Sequence, residues 1–391
     1  MTTVDRWQLP DGVEEVLPAQ AASVERLRRQ LLDLYRSWGY QLVIPPLMEF
    51  TESLLIGMGS DIDLLTFRMT DQVSGRTLGI RADITPQVAR IDAHSLAEEG
   101  ISRLCYAGST LHTRPKTLMA SRTPIQLGAE LYGDESLAAD VEIIRLMLET
   151  LHVAGLDNLS LDLGHVGVYK AIIAEAGLED EQEREVFDAL QRKSVPDLEI
   201  ALQGVDKERA RLIVALVGLH GPDKVLDDAR ALFADKAPGA LAAVDTLAAA
   251  AAEIRSLRPE LNIYFDLSEL RGYHYHTGIV FAAYVPGHGQ ALANGGRYND
   301  VGAVFGRARP ATGFATDLKA LMKLLPEEPA LHGAISAPVG TAEGAGLQEM
   351  VNELRAQGEI VINALGARAD SRCDRELVLD AGCWKVLAIA Q

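Results

Sequence analysis

The stretch RADITPQVAR, residues 81–90, is where the chain divides between two readings. Arg81, Asp83, Thr85, Gln87 and Arg90 alternate with apolar residues. Taken alone, the pattern is an exposed strand running into a helix, with Asp83 or Thr85 as the cap. Its other reading, polar groups presented to a ligand, depends on what the rest of the chain places beside it.

Two further clusters bear on that choice. In RTPIQLGAELYG, residues 122–133, Gln126, Gly128 and Glu130 recur at period two and therefore share one face of a strand. An amide and a carboxylate so placed can receive an ammonium group, and a solvated strand face would carry the same pattern. The third cluster begins with the loop RGYHYHTG, residues 271–278, continues through the apolar run GIVFAAYV and ends in NGGRYND, residues 294–300. Gly295 and Gly296 permit close backbone approach, and Arg297 and Tyr298 can point at a neighbouring ligand. Tyrosines and histidines here would serve equally as half-buried core residues.

Working outward, residues 18–38 place Val24, Leu27, Leu31, Leu32 and Tyr35 at helical spacing and stop at Gly39, which predicts an amphipathic helix. YQLVIPPLMEF, residues 40–50, reads as a strand ending at an edge or interface because Pro45 and Pro46 cannot donate to a ladder. Further strands are expected at residues 76–83, 103–113, 124–133, 158–164, 262–267, 278–285 and 290–296. Helices are expected at residues 137–155 and 310–325. The middle, about 168–256, lacks strand signals and reads as a helical insertion in a mostly antiparallel α+β domain spanning residues 1–325. After the linker-like LLPEEPALHG, residues 333–391 read strand, helix, strand, turn, strand, a small α/β domain.

The bulk numbers exclude several function classes. A chain of 391 residues with 48% hydrophobic side chains can bury more than one core. A formal net charge of -18 opposes binding to a phosphate backbone. Cys105, Cys373 and Cys383 are an odd number with no metal-ligand spacing, so reduced thiols and no metal site are expected. No apolar stretch is long enough to span a membrane and the N-terminus has no signal-like pattern, so a cytoplasmic protein is expected. P-loop, GxGxxG, HExxH and GxSxG motifs are absent, and no cofactor is implied.

The three clusters, in this order, resemble the class II aminoacyl-tRNA synthetases and histidyl-tRNA synthetase in particular. LPDGVEEVLPAQA with GYQLVIPPLMEF is similar to that family's dimer-interface motif, and the segment from RADITPQ through YAGSTLHTRP to SRTPIQLGAELYG to its second motif region. LRGYHYHTGIVFAAY resembles the histidine-specific loop, and GGRYNDV with PATGFATDLKAL the last strand and helix of the catalytic core. The likeness covers about residues 10–322. It implies a class II synthetase-like antiparallel sheet flanked by helices. It also implies a histidine site in which Asp83, Thr85, Gln126 and Glu130 contact the amino and imidazole groups, Arg271 pairs with the carboxylate, and Tyr275, His276 and Tyr298 wall the imidazole. His276 stands where the synthetase commonly has tyrosine.

The departures from that pattern concern phosphate chemistry. Adenylation needs cations on the developing phosphate charge. Ala320 stands where the synthetase has its nucleotide-binding arginine. His112 stands at the arginine that would grip the α-phosphate, although a one-residue gap would put Arg114 there instead. The C-terminal segment is shorter than the synthetase's anticodon-binding domain and carries no Lys/Arg stripe. These losses are similar to those of the synthetase's non-catalytic relatives, the regulatory subunits of ATP phosphoribosyltransferase. Such a resemblance implies a regulatory, allosteric role in histidine biosynthesis, with the short-form catalytic subunit as partner in a hetero-oligomer. It further implies a self-dimer, activation of the partner, feedback inhibition by histidine, and no nucleic-acid partner. Within the same fold the alternative is a divergent histidyl-tRNA synthetase, and a free-standing amino-acid-binding or RNA-binding regulator would keep the pocket without the partner.

Overall fold

A computed structural model describes residues 7–55, 60–117, 120–270, 272–273, 275–325, 333–339, 346–365 and 370–389. The chain forms two compact units, Met1–Val16 with Val24–Leu325, and Leu17–Ser23 with Pro326–Gln391.

The strands of the first unit are β1 (Gln41–Leu42), β2 (Met48–Phe50), β3 (Phe67–Thr70), β4 (Thr77–Ile80), β5 (Ser102–Ser109), β6 (Ile125–Tyr132), β7 (Ser160–His165), β8 (His220–Gly221), β9 (Asn262–Asp266), β10 (Ile279–Tyr284), β11 (Ala293–Arg297) and β12 (Ala311–Asp317). Nine of them form one sheet in the order β1-β5-β6-β12-β11-β10-β7-β9-β8, and β2-β4-β3 form a small second sheet. The large sheet is antiparallel except at β1 with β5 and β7 with β9. This is the α+β, synthetase-like architecture expected from the motifs.

Register assigns the two faces of that sheet. Leu127, Ala129 and Leu131 of β6 and Phe314 of β12 point to the back, where they share one core with Leu27, Leu31, Leu32 and Tyr35 of helix Pro18–Ser37 and with Ile143, Leu146 and Met147 of helix Leu137–Val153. Tyr35 meets Phe314 edge to face at 6.1 Å. Each such leucine, fully withdrawn from water, contributes about 1.5–3 kcal/mol, so the back face sets the register of β6. The same alternation then turns Gln126, Gly128 and Glu130 to the front.

The structure corrects several sequence expectations. Residues 40–50 are not one strand: Pro45 and Pro46 divide them into β1 at the edge of the large sheet and β2 in the small one. Residues 310–325 are not one helix, since Ala311–Asp317 is β12 and only Leu318–Met322 is helical. The apolar pattern there suits either period, and two antiparallel neighbours, β6 and β11, decide for the strand. The strand expected over 290–296 begins at Ala293. Residues 166–257 are helical apart from short connections and the two-residue β8, and their helices continue the back-face core. Among the described residues, no helix is long and apolar enough to cross a membrane.

The second unit contains β13 (Ala334–Ala337), helix Leu347–Ala356, β14 (Val361–Asn363), β15 (Cys373–Asp380) and β16 (Cys383–Ala388) in the order β14-β13-β15-β16. The sequence expectation of a polar turn between the last two strands is corrected here, since Cys373–Asp380 within it forms the whole of β15. Val351 of the helix packs with Ile335, Val361 and Leu377, a core of few large side chains.

Candidate ligand-binding site

The front face of the large sheet carries the candidate site. Its floor is glycine. A Cβ at Gly128 would run into Tyr106 and the Phe314 carbonyl, and one at Gly313 would run into Glu130 Oε2. At Gly296 a Cβ would lie 2.8 Å from His276 Nε2. Glu130, Gly313 and Gly296 are consecutive register partners across β6, β12 and β11, so the floor is continuous under the side chains that stand on it.

Glu130 stands at the centre, 1% exposed. Thr85 Oγ1 and the Tyr106 hydroxyl each donate to its Oε1 at 3.1 Å, and the Tyr298 hydroxyl donates to its Oε2. The Tyr132 hydroxyl lies 3.3 Å from that of Tyr298, and their rings meet edge to face at 6.4 Å. Burial pushes the Glu130 carboxyl up to about 8, and the charge of Asp83 adds to the rise. The hydroxyl donors, Tyr298 foremost, act the other way and favour the ionised form. Burial thus biases the carboxyl toward its uncharged form, and an arriving cation would favour its ionisation.

Local sequence explains how Thr85 reaches it. Asp83 Oδ1 accepts the Thr85 N–H at 2.9 Å, which turns the chain into helix Thr85–Arg90 with Pro86 in its first turn. Asp83 is therefore the residue whose side chain starts the helix, although Ile84 occupies the capping position. The Gln126 amide locks this turn to β6: its Nε2 donates to Asp83 Oδ1 at 3.0 Å, and its Oε1 accepts the Ile84 N–H at 2.9 Å. Arg81, at the other end of the motif, turns away to the Pro45 and Ser109 carbonyls at 2.8 and 2.9 Å. Arg90 makes a two-point contact with Glu49.

The structure thus brings together Asp83, Thr85, Gln126, Glu130 and Tyr298. Tyr275 packs against the cluster of Ile84, Val88, Tyr106, Tyr132 and Tyr298. His276 is buried, with its ring 4.2 Å from that of Tyr275. Arg271 lies outside the described residues. Sequence reasoning missed Tyr106 and Tyr132. The signal was present, because Tyr106 directly opposes Gly128 in the ladder and Tyr132 continues the Gln126–Glu130 alternation, but it needs the register to be seen.

The positions tied to phosphate chemistry are equally definite. His112 is buried with Nε2 3.0 Å from the Ala82 carbonyl, and burial lowers its pKa, so the imidazole is neutral at pH 7. Arg114 is exposed. Beside Ala320, Lys319 Nζ donates to Thr123 at 3.1 Å, and Glu14 lies 3.9 Å away. Asp317, the register partner of Gln126, adds a carboxylate to the front face and accepts the N–H groups of Ile125 and Lys319, both at 3.0 Å. A half-buried acid at each side of Gln126, Asp83 and Asp317, suits an amino group better than a phosphate. Among the described residues, no group of three or more metal-ligating side chains comes together.

Comparison with known proteins follows the same lines. The family model for histidyl-tRNA synthetase matches residues 12–321, which defines the class of the larger unit. A crystal structure described as an ATP phosphoribosyltransferase regulatory subunit/histidyl-tRNA synthetase from Bacillus halodurans superposes with a TM-score of 0.81 at 25% identity, covering 93% of this chain and 94% of that one. Histidyl-tRNA synthetase from a Nostoc species shares the fold with a TM-score of 0.77 at 18% identity, covering 98% and 97%. The C-terminal segment, residues 332–387, matches a different model, the ATP phosphoribosyltransferase subunit HisZ C-terminal domain. The ATP phosphoribosyltransferase regulatory subunits of Azotobacter vinelandii and Pseudomonas aeruginosa are 54% and 53% identical, each over 100% of both chains. The chain belongs to the family of ATP phosphoribosyltransferase regulatory subunits.

Proposed function

We propose that this non-catalytic subunit binds free histidine in the front-face pocket and reports it to a short-form catalytic subunit of ATP phosphoribosyltransferase, giving feedback inhibition. Asp83, Thr85, Gln126 and Glu130 receive the amino and imidazole groups, Arg271 the carboxylate, and Tyr275, His276 and Tyr298 wall the ring. The observation that carries this reading is Glu130, buried under three hydroxyl donors on a glycine floor. A carboxyl kept so far from water gains most from a ligand that brings its own positive charge and N–H donors. The acidic front face, with Asp317 beside Gln126 and a neutral His112, supports recognition of an amino acid without its activation.

The same reading takes a second copy of the chain as partner at the β1–β2 edge, where Leu42, Ile44, Leu47 and Met48 are exposed in one short run of sequence. It places the complex in the cytoplasm. Calorimetric titration of the isolated chain with histidine tests the pocket, and a repeat with the catalytic subunit tests the coupling. The expected result is one histidine per chain, with an affinity changed by the partner by the same factor as histidine changes partner binding. No heat and no competition by close analogues would refute the assignment.

A further inference from the structure

The loop that supplies Tyr275 and His276 is held from outside the pocket. Its turn is tight: Tyr273 N–H donates to the Leu270 carbonyl at 2.9 Å, and the N–H groups of Tyr275 and His276 donate to the Gly272 carbonyl at 3.0 and 2.8 Å. Gly272 has φ +67°, and a Cβ there would lie 2.6 Å from His276 Nδ1, so only glycine lets the turn close. The ends of the arc are anchored. Leu270 is buried in the main core, and Thr277 N–H donates to the Arg297 carbonyl at 2.7 Å.

Between those anchors, two tyrosines two residues apart go to different places. Tyr275 packs against the ligand-site cluster. Tyr273 packs against Tyr169 of helix Val166–Ala176 and Phe187 of helix Asp180–Gln191, with ring centroids 5.1 Å away in each case, and its hydroxyl donates to Glu183 at 3.3 Å. Lys170 Nζ, on the first of those helices, donates to the His276 carbonyl at 2.8 Å and lies 5.3 Å from the Tyr273 ring centroid. Both helices belong to the segment inserted between β7 and β9.

We propose that Lys170, Tyr273 and Glu183 are positioning residues for the ligand pocket, and that through them the helical insertion sets where Tyr275 and His276 stand. The inference rests on the histidine-pocket reading above and adds a control point to it. Because Gly272 is tied to both Tyr275 and His276 by hydrogen bonds, a displacement of Tyr273 at the insertion is carried to Tyr275 at the pocket. Lys170 is the stronger tie, since it bonds the backbone of the wall residue with a charged donor.

The test uses the full chain with Lys170→Met, Tyr273→Phe and the conservative Lys170→Arg, measuring histidine affinity by calorimetry and hydrogen exchange across residues 272–278 without ligand. Lys170→Met is expected to weaken histidine about tenfold, the scale of one charge-assisted hydrogen bond, and to speed exchange at 275–277. Tyr273→Phe, which keeps the ring contacts, should do the same more weakly, and Lys170→Arg should restore both readouts. Wild-type binding with unchanged affinity and exchange in Lys170→Met and Tyr273→Phe overturns this inference alone. Absence of histidine binding by the wild type overturns the ligand assignment and this inference with it.

Discussion

Replacing Glu130 by glutamine should remove a pH dependence that the folded protein acquires from one buried acid. The carboxyl ordinarily titrates at 4.5, and burial pushes it up to about 8. The folded state therefore binds a proton that the unfolded state has lost, and stability contributed by this group is fully present below 4.5 and declines as pH rises through 8. Between pH 5 and 7 the folded chain holds most of one extra proton, the excess growing as the unfolded carboxyl finishes ionising. At 1.36 kcal/mol per proton per pH unit, the wild type should lose about 2–3 kcal/mol relative to the variant. Glutamine keeps the shape. Its oxygen can accept from Thr85 and Tyr106, and its amide can donate to Tyr298, whose own proton then turns to Tyr132. Urea unfolding of both proteins at pH 5, 6 and 7, followed by tryptophan fluorescence, isolates the group because all other titrations cancel in the difference. Parallel stability profiles in the two proteins would show that Glu130 is ionised in the protein without ligand and would refute the desolvation argument.

Other outcomes follow from the same geometry. Gly313→Ala, which pushes a methyl group into the Glu130 carboxylate, should destabilise the fold by about 1–3 kcal/mol and abolish histidine binding, read by calorimetry and denaturant titration. Asp140→Asn leaves the 8%-exposed Arg297 guanidinium without its 3.0 Å carboxylate and should cost about 3–5 kcal/mol in a urea titration. The wild type should show no histidine-dependent exchange of pyrophosphate into ATP, and the double variant His112→Arg with Ala320→Arg should remain inactive because Asp317 still faces the same space; exchange at a synthetase-like rate in the wild type would contradict the assignment.

The sequence by itself determined the elements with a strong single period and an uncontested environment. Helix Pro18–Ser37 and helix Leu137–Val153 were legible from 3.6-residue spacing, and β6 from alternation, because one face of each meets a continuous apolar layer. The motif order also carried the class of the fold, and with it Asp83, Thr85, Gln126, Glu130 and Tyr298, all of which the structure gathers. Tertiary structure alone decided the rest. Residues 311–317 look helical or extended to any local reading, and become β12 because β6 and β11 lie on either side. Tyr106, Tyr132 and the floor glycines acquire their role only from cross-strand register. The bond from Tyr298 to Glu130 closes over 168 residues, and that from Lys170 to the His276 carbonyl over 106. Local spacing carries no information across such separations. Which residues meet is set by the back face of the sheet, where burial of Leu127, Ala129, Leu131 and Phe314 fixes the register that aims the front-face side chains at one another.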